Sequence, residues 1–288
     1  MVKRMVVGFV SVVGALVLSV PSAHATVYDL TTAGSSSTDT LALFNQTSFS
    51  STGTGLIDSF VRVQQPGGGS VEEGYNTTVN GVFNNGSDDT HNHQLLLSAV
   101  PTLSLSGTDS REFLLDIFES GGGNSLLSLD EIQVFLSQDP NQSVTSFTGD
   151  GLVDLANSAL VYRLDSDKDG AGTASEANNW VKLNADLNNG SGSGDMFLYI
   201  PNSLFATQLA LHPTYTYVYL YSHLGGQGNG LGSSSTFEEW AVRICGTGVE
   251  CVQPPPPPPP VIPEPTSLLL LGTGLLGTVF RGSRKRLF

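Results

Sequence analysis

The chain has 288 residues, with 26 acidic against 12 basic side chains, a formal net charge of −14 and 39% hydrophobic residues. Nucleic-acid binding depends on Lys and Arg neutralising phosphates, and a chain this acidic repels them, so that class is excluded. The two cysteines have five residues between them, which excludes a CxxC redox pair.

Lys3 and Arg4 precede an apolar run over 5–20, then Pro21 and the small-residue site Ala23-His24-Ala25. A positive start, an apolar middle and an A-x-A site predict a secretory signal peptide over 1–25. The mature chain then begins at Thr26. Between residues 26 and 262 there remain 25 acidic and six basic residues, a surface suited to solubility and to divalent cations.

Residues 26–252 read as one all-β ectodomain, because no Pro/Gly linker divides them. Residues 31–55, rich in Ser, Thr and Gly, form a loosely ordered lead-in strand. Alternating apolar positions then mark strands at Val61 and Val63, at Leu103 and Leu105, and at Ile132, Val134 and Leu136. The runs 112–118 and 126–136 flank Gly121-Gly122-Gly123-Asn124 and read as a hairpin-like pair. Turn clusters at 66–70, 84–89, 188–194 and 225–235 complete the pattern of an antiparallel β-sandwich or jelly roll. The one helical candidate is 152–164, where Leu152, Leu155, Ala159 and Tyr162 recur at helical spacing; Val161, Tyr162 and Leu164 suit a strand equally.

Four patterns inside the ectodomain bear on chemistry. Asp165, Asp167 and Asp169 alternate before Gly170, with Ala171 and Thr173 at positions seven and nine and Glu176 at position twelve. That is the spacing of a calcium loop, in which carboxylates and a backbone carbonyl wrap a hard cation. A solvated acidic turn held by Asx hydrogen bonds is the competing reading, since Gly172 replaces the usual branched apolar residue and no second loop exists to pair with it. His91 and His93 share one face of a strand at a metal-compatible spacing, although no carboxylate or cysteine is fixed beside them in the sequence, and a polar strand end after Asp88-Asp89 is the competing reading. Tyr215, Tyr217, Tyr219 and Tyr221 alternate along a strand, either as a row for stacking on sugar rings or as packing against a neighbouring strand or loop. Cys245 and Cys251 are expected to form a disulfide once export places them in an oxidising compartment. No nucleophile elbow, zinc-protease helix or phosphate loop occurs, so a non-catalytic protein is expected.

The C-terminal end has a different character. Seven prolines from Pro254 to Pro260 lie in a linker over 253–262, the triplet Pro263-Glu264-Pro265 follows, and residues 266–280 carry no charge. Arg281, Arg284, Lys285 and Arg286 close the chain. Fifteen apolar residues fall short of the roughly 20 needed to cross a 30 Å hydrocarbon core, so a helix there inserts only marginally. The basic cluster is the stop expected on the cytoplasmic side, with the ectodomain on the other.

This tail resembles the PEP-CTERM sorting signal of exported proteins in Gram-negative, exopolysaccharide-producing bacteria. The triplet, the leucine-rich span (Leu268 to Leu271, Leu275, Leu276) and the basic end stand in the family's order. The resemblance implies a sorting segment over 263–288, transient anchoring in the inner membrane, and an exosortase partner that cuts near the triplet. It also implies a final location at the cell surface or in the extracellular matrix. Runs within 111–117, 126–135, 190–205, 217–225 and 237–242 are similar to an ectodomain found in a subset of these proteins, which adds no activity. The leading expectation is a structural or adhesive protein of the exopolysaccharide or biofilm matrix; a carbohydrate-binding module and a secreted hydrolase are the alternatives.

Overall fold

The computed structural model describes residues 25–50, 57–64, 69–86, 90–119, 125–164, 179–188, 193–234 and 236–244. Residues 1–24 of the leader, the acidic loop at 165–176, the cysteine pair, the proline linker and the sorting tail lie outside them. Contacts divide the chain into Met1–Cys251 and Val252–Phe288, and every described strand belongs to the first.

Two sheets carry the fold. The first runs β1 (Val27–Asp29), β11 (Trp180–Asn184), β9 (Leu126–Ser137), β13 (Tyr217–Leu224), β5 (Glu72–Tyr75). Two short strands, β10 (Ser158–Arg163) and β6 (Leu95–Leu96), pair with β9 and β13 respectively. The second runs β2 (Ser36–Thr38), β3 (Leu43–Ser50), β12 (Ser193–Pro201), β8 (Thr108–Ile117), β14 (Glu238–Arg243), β4 (Ile57–Val63), with β7 (Thr102–Leu105) on β8. Pairing is antiparallel except between β1 and β11, which run parallel.

The alternation seen in the sequence explains the layering. Along β13, Val218, Leu220 and Leu224 enter the main core, and along β14 Trp240 and Val242 do the same from the facing sheet. Successive side chains of a strand point to opposite faces, so these positions share the inner face. Trp240 donates from Nε1 to Ser222 Oγ at 3.0 Å, a buried bond joining the two sheets and worth about 1 kcal/mol.

Three sequence expectations are corrected. The runs 112–118 and 126–136 do not form a hairpin: β8 lies in the second sheet and β9 in the first, and the chain crosses between layers there. Residues 31–55 supply β2 and the eight-residue β3, which pairs with the centre of the second sheet. The helical pattern at 152–164 resolves as β10, whereas the α-helix, α1, spans Asn202–Leu211 and seats Phe205 fully in the core. Tertiary contact overrides spacing here, because β10 adds its backbone bonds to the exposed flank of β9.

Leu220 sits at the middle of this core with no exposed surface. Leu220→Ala is therefore expected to lower unfolding stability by about 2–5 kcal/mol, read from urea denaturation of the ectodomain-bearing protein. A loss below 1 kcal/mol would place Leu220 outside the packed interior.

Candidate functional site

The end of the sandwich near residues 70–72, 119 and 225–238 gathers acidic side chains that the hydrophobic pattern does not predict. Glu238 begins β14 two residues before Trp240, so strand alternation aims it inward, between the sheets. Glu72 begins β5 opposite Leu224 of β13, and that register places it on the same inner face. Glu119 follows β8 two residues after the core residue Ile117. Glu72 and Glu238 are wholly buried, and Glu119 is 6% exposed.

Burial, the largest cause, and the carboxyls of Glu72 and Glu119 together push Glu238 far above the ordinary carboxylate range. Glu119 is raised by burial as well, against the opposing effect of hydrogen bonds from Ser234. The Ser234 amide donates to Glu119 Oε2 at 2.9 Å and Oε1 at 3.2 Å. Glu238 hydrogen-bonds to the carboxyls of Glu72 and Glu119, which requires a shared proton, because a carboxylate oxygen can only accept. An ionised carboxylate in this position lacks the donors that normally offset loss of water.

A loop over 225–234 covers this end and is fixed by backbone bonds. Gly225 N donates to Ser128 O at 2.8 Å, Ser128 N to Leu231 O at 3.0 Å, and Ser233 N to Ser70 O at 2.8 Å. Gly225 has φ +83, and a Cβ there would stand 2.0 Å from Ser70 O, so only glycine allows the approach. Gly226 N donates to Asp130 Oδ2 at 2.6 Å, and His223 Nδ1 lies 3.4 Å from the same oxygen. The β13–β9 register shifts between His223 and Leu224, a bulge that turns Asp130 toward the loop.

A second group of charges occupies the outer face of the second sheet. Arg243 makes a two-pronged contact with Glu112, from Nε to Oε1 and from Nη2 to Oε2, and its guanidinium lies 5.2 Å from the centre of the Phe197 ring. Asp195 accepts the Ile117 amide at 2.8 Å. Burial first, and then the neighbouring Asp116, raise Asp195 to about 9.

The tyrosines separate into two environments. Tyr219 and Tyr221 are buried in a cluster with Tyr75, Phe135, Val153 and Leu155, and Tyr217 packs against it. The Tyr219 hydroxyl donates to Asp139 O at 2.8 Å and that of Tyr221 to Glu73 Oε2 at 2.5 Å. Tyr215 precedes the strand, packs against the main core instead and stacks on His212 with ring centres 4.5 Å apart. The row thus packs beneath covering loops, as one of its two readings has it, and the expectation that all four rings share a face is corrected for Tyr215.

His91 and His93 flank a turn rather than lying on a strand. The fold nonetheless supplies a carboxylate that sequence distance conceals: His93 Nε2 lies 3.3 Å from Asp58 Oδ1. The bond to Asp58 is the main cause that raises His93 to about 9. Arg62, donating to Glu239 at 2.6 Å and lying 4.1 Å from the centre of the Phe237 ring, completes this partly buried patch. The residues of the acidic 165–176 loop, Cys245 and Cys251, the Pro263-Glu264-Pro265 triplet and the basic cluster lie outside the described residues. Among the described residues, no helix is long and apolar enough to cross a membrane.

Residues 261–285 match the family model of the PEP-CTERM protein-sorting motif. No curated protein and no solved structure matches the chain.

Asp195 yields a pH prediction. Its folded-state value lies above the unfolded value of 3.8, so the folded chain holds the proton more tightly. The stability this group contributes is full below about pH 3.8 and declines as pH rises toward 9. Asp195→Asn, which keeps an acceptor for the Ile117 amide, is expected to flatten the fall of Tm between pH 5 and 8 and to raise Tm at pH 8. Parallel Tm curves for the two proteins would contradict this.

Proposed function

We propose, starting from the PEP-CTERM sorting motif that this chain carries, that its β-sandwich is delivered to the surface as a non-catalytic structural or adhesive component of the exopolysaccharide matrix. The observation that carries the reading is the motif match over residues 261–285. It supports an exosortase-targeted surface protein, exported and held at the membrane before release. A signal peptide at the opposite end is the route of export this requires. The seven prolines before the motif make a stiff spacer of about 22 Å, at roughly 3.1 Å per residue, which holds the folded body clear of the bilayer during cutting.

The fold favours a structural role over carbohydrate capture. A stacking platform needs exposed rings, and Tyr219 and Tyr221 are 1% and 0% exposed. The acidic composition of the ectodomain suits a hydrated matrix in which divalent cations bridge negative groups.

Intact-mass analysis tests the sorting step. In a host carrying exosortase, the mature protein is expected to lack residues 268–288, and in a strain deleted for the enzyme to retain them. A mature product that keeps the apolar segment and the basic cluster in both strains would contradict the reading. For the matrix role, deletion of the gene is expected to weaken biofilm cohesion with the exopolysaccharide yield unchanged; cohesion equal to that of the parent strain would overturn it.

A further inference from the structure

We propose that the cavity beside Arg111, toward the start of β8 and away from the acid cluster at its end, binds a small carboxylic acid with an apolar chain. Strand alternation puts the guanidinium there. Phe113, Leu115 and Ile117 of the same strand enter the main core, so Arg111 shares their inner face. It lies about 20 Å along the strand from Ile117, at roughly 3.3 Å per residue.

Three hydrogen bonds fix the guanidinium. Nε donates to Asn202 Oδ1 at 2.8 Å, and Nη1 donates to Leu97 O at 3.0 Å and to Val100 O at 2.6 Å. The two carbonyls belong to the turn over 97–100, whose Leu97 amide donates to Thr216 O at 2.9 Å, and Asn202 opens α1. The planar group is thus held before any ligand arrives, and its Nη2 is left over with two N–H donors. Among the described residues Nη2 meets no acceptor and Arg111 has no carboxylate partner. Arg62 and Arg243, by contrast, each hold a glutamate. Burial lowers the Arg111 pKa, and no neighbouring acid opposes it.

A partly buried cation with free donors and no counter-charge calls for an anion, and the lining selects which kind. Leu96, Leu97 and Leu209 give the cavity apolar walls, Ser98 and Thr216 add hydroxyls, and its volume is about 280 Å³. Leu96, Ser98 and Thr216 are exposed and form its rim. A water's share of liquid volume is about 30 Å³, so the cavity takes the volume of about nine waters, which suits an acid of about ten heavy atoms. Inorganic phosphate would gain nothing from leucine walls. A sugar acid would want an aromatic face to stack on, and no ring lines the cavity. The apolar chain then supplies affinity by leaving water, and the charge-assisted bond to Nη2 fixes its direction.

The test uses the mature exported protein, titrated by calorimetry with octanoate, 1-octanol and glucuronate. Octanoate is expected to bind one equivalent with a Kd at or below about 1 mM, within the ligand-efficiency range for about ten heavy atoms. Octanol keeps only the chain and glucuronate only the charge, so each should bind at least tenfold more weakly. Arg111→Met should weaken octanoate binding tenfold or more, the usual loss for a hydrogen bond to a charged group. If that variant fails to fold, Ser98→Asp carries the test. It sets a negative charge at the exposed rim and should also cost tenfold or more, while the neutral, equally sized Ser98→Asn should keep binding. A protein that takes up no octanoate, glucuronate binding as tight as octanoate, or octanoate affinity that is unchanged in folded Arg111→Met or in Ser98→Asp overturns the proposal. None of these results bears on exosortase processing, which intact mass reads separately.

Discussion

Removing a carboxylate from water costs several kcal/mol even after relaxation, and like charges that share the same interior raise the cost further. The sandwich accepts that penalty at one end, where Glu72, Glu119 and Glu238 meet between the layers. Strand β14 shows two solutions to the same problem on its two faces. Its outward Arg243 pairs with the buried Glu112, which turns a desolvated acid into a satisfied ion pair. Its inward Glu238 lies against Glu72 and Glu119, and burial with those carboxyls drives it toward its protonated form, so a bound proton does what the guanidinium does on the other face. The apolar contacts of Trp240, Phe60, Phe113, Leu220 and their neighbours hold the sheets together strongly enough for the charged end to persist.

The 225–234 loop, pinned by Ser128, Ser70 and Glu119, is the element most directly coupled to the cluster. Its close approach at Gly225 is to Ser70 O, so the loop has little freedom to move there without moving the chain that leads into β5.

Much of the sandwich was legible in the sequence because half-buried strands announce themselves by alternation. Val61 and Val63, Leu103 and Leu105, and Ile132, Val134 and Leu136 all fall in strands. The tail was the clearest segment of all, since its proline triplet, apolar span and basic end lie side by side. What stayed hidden depends on layers. Nothing local tells that β8 and β9 enter different sheets, because their two apolar runs flank a glycine loop just as a hairpin would. Helix α1 lacks a side-chain cap at its start and has apolar residues spread around its circumference, so its periodicity is faint. Glu72, Glu119 and Glu238 are far apart in the chain, and each is ordinary alone. The available signal was Glu238 in phase with Trp240 and Val242, a charge at a position that alternation assigns to the core. By contrast, the acidic run at 165–176 drew attention because its carboxylates are adjacent in sequence.

Thermal melting of the parent protein and of Glu238→Gln across pH 5 to 8 tests the buried acid cluster directly. Burial and the neighbouring carboxyls raise Glu238 well above its ordinary value of 4.5, so the stability it contributes is full below that value and declines as pH rises. The account predicts that Glu238→Gln, which cannot ionise, flattens the fall of Tm with pH; a folded variant whose Tm curve runs parallel to the parent's would contradict it.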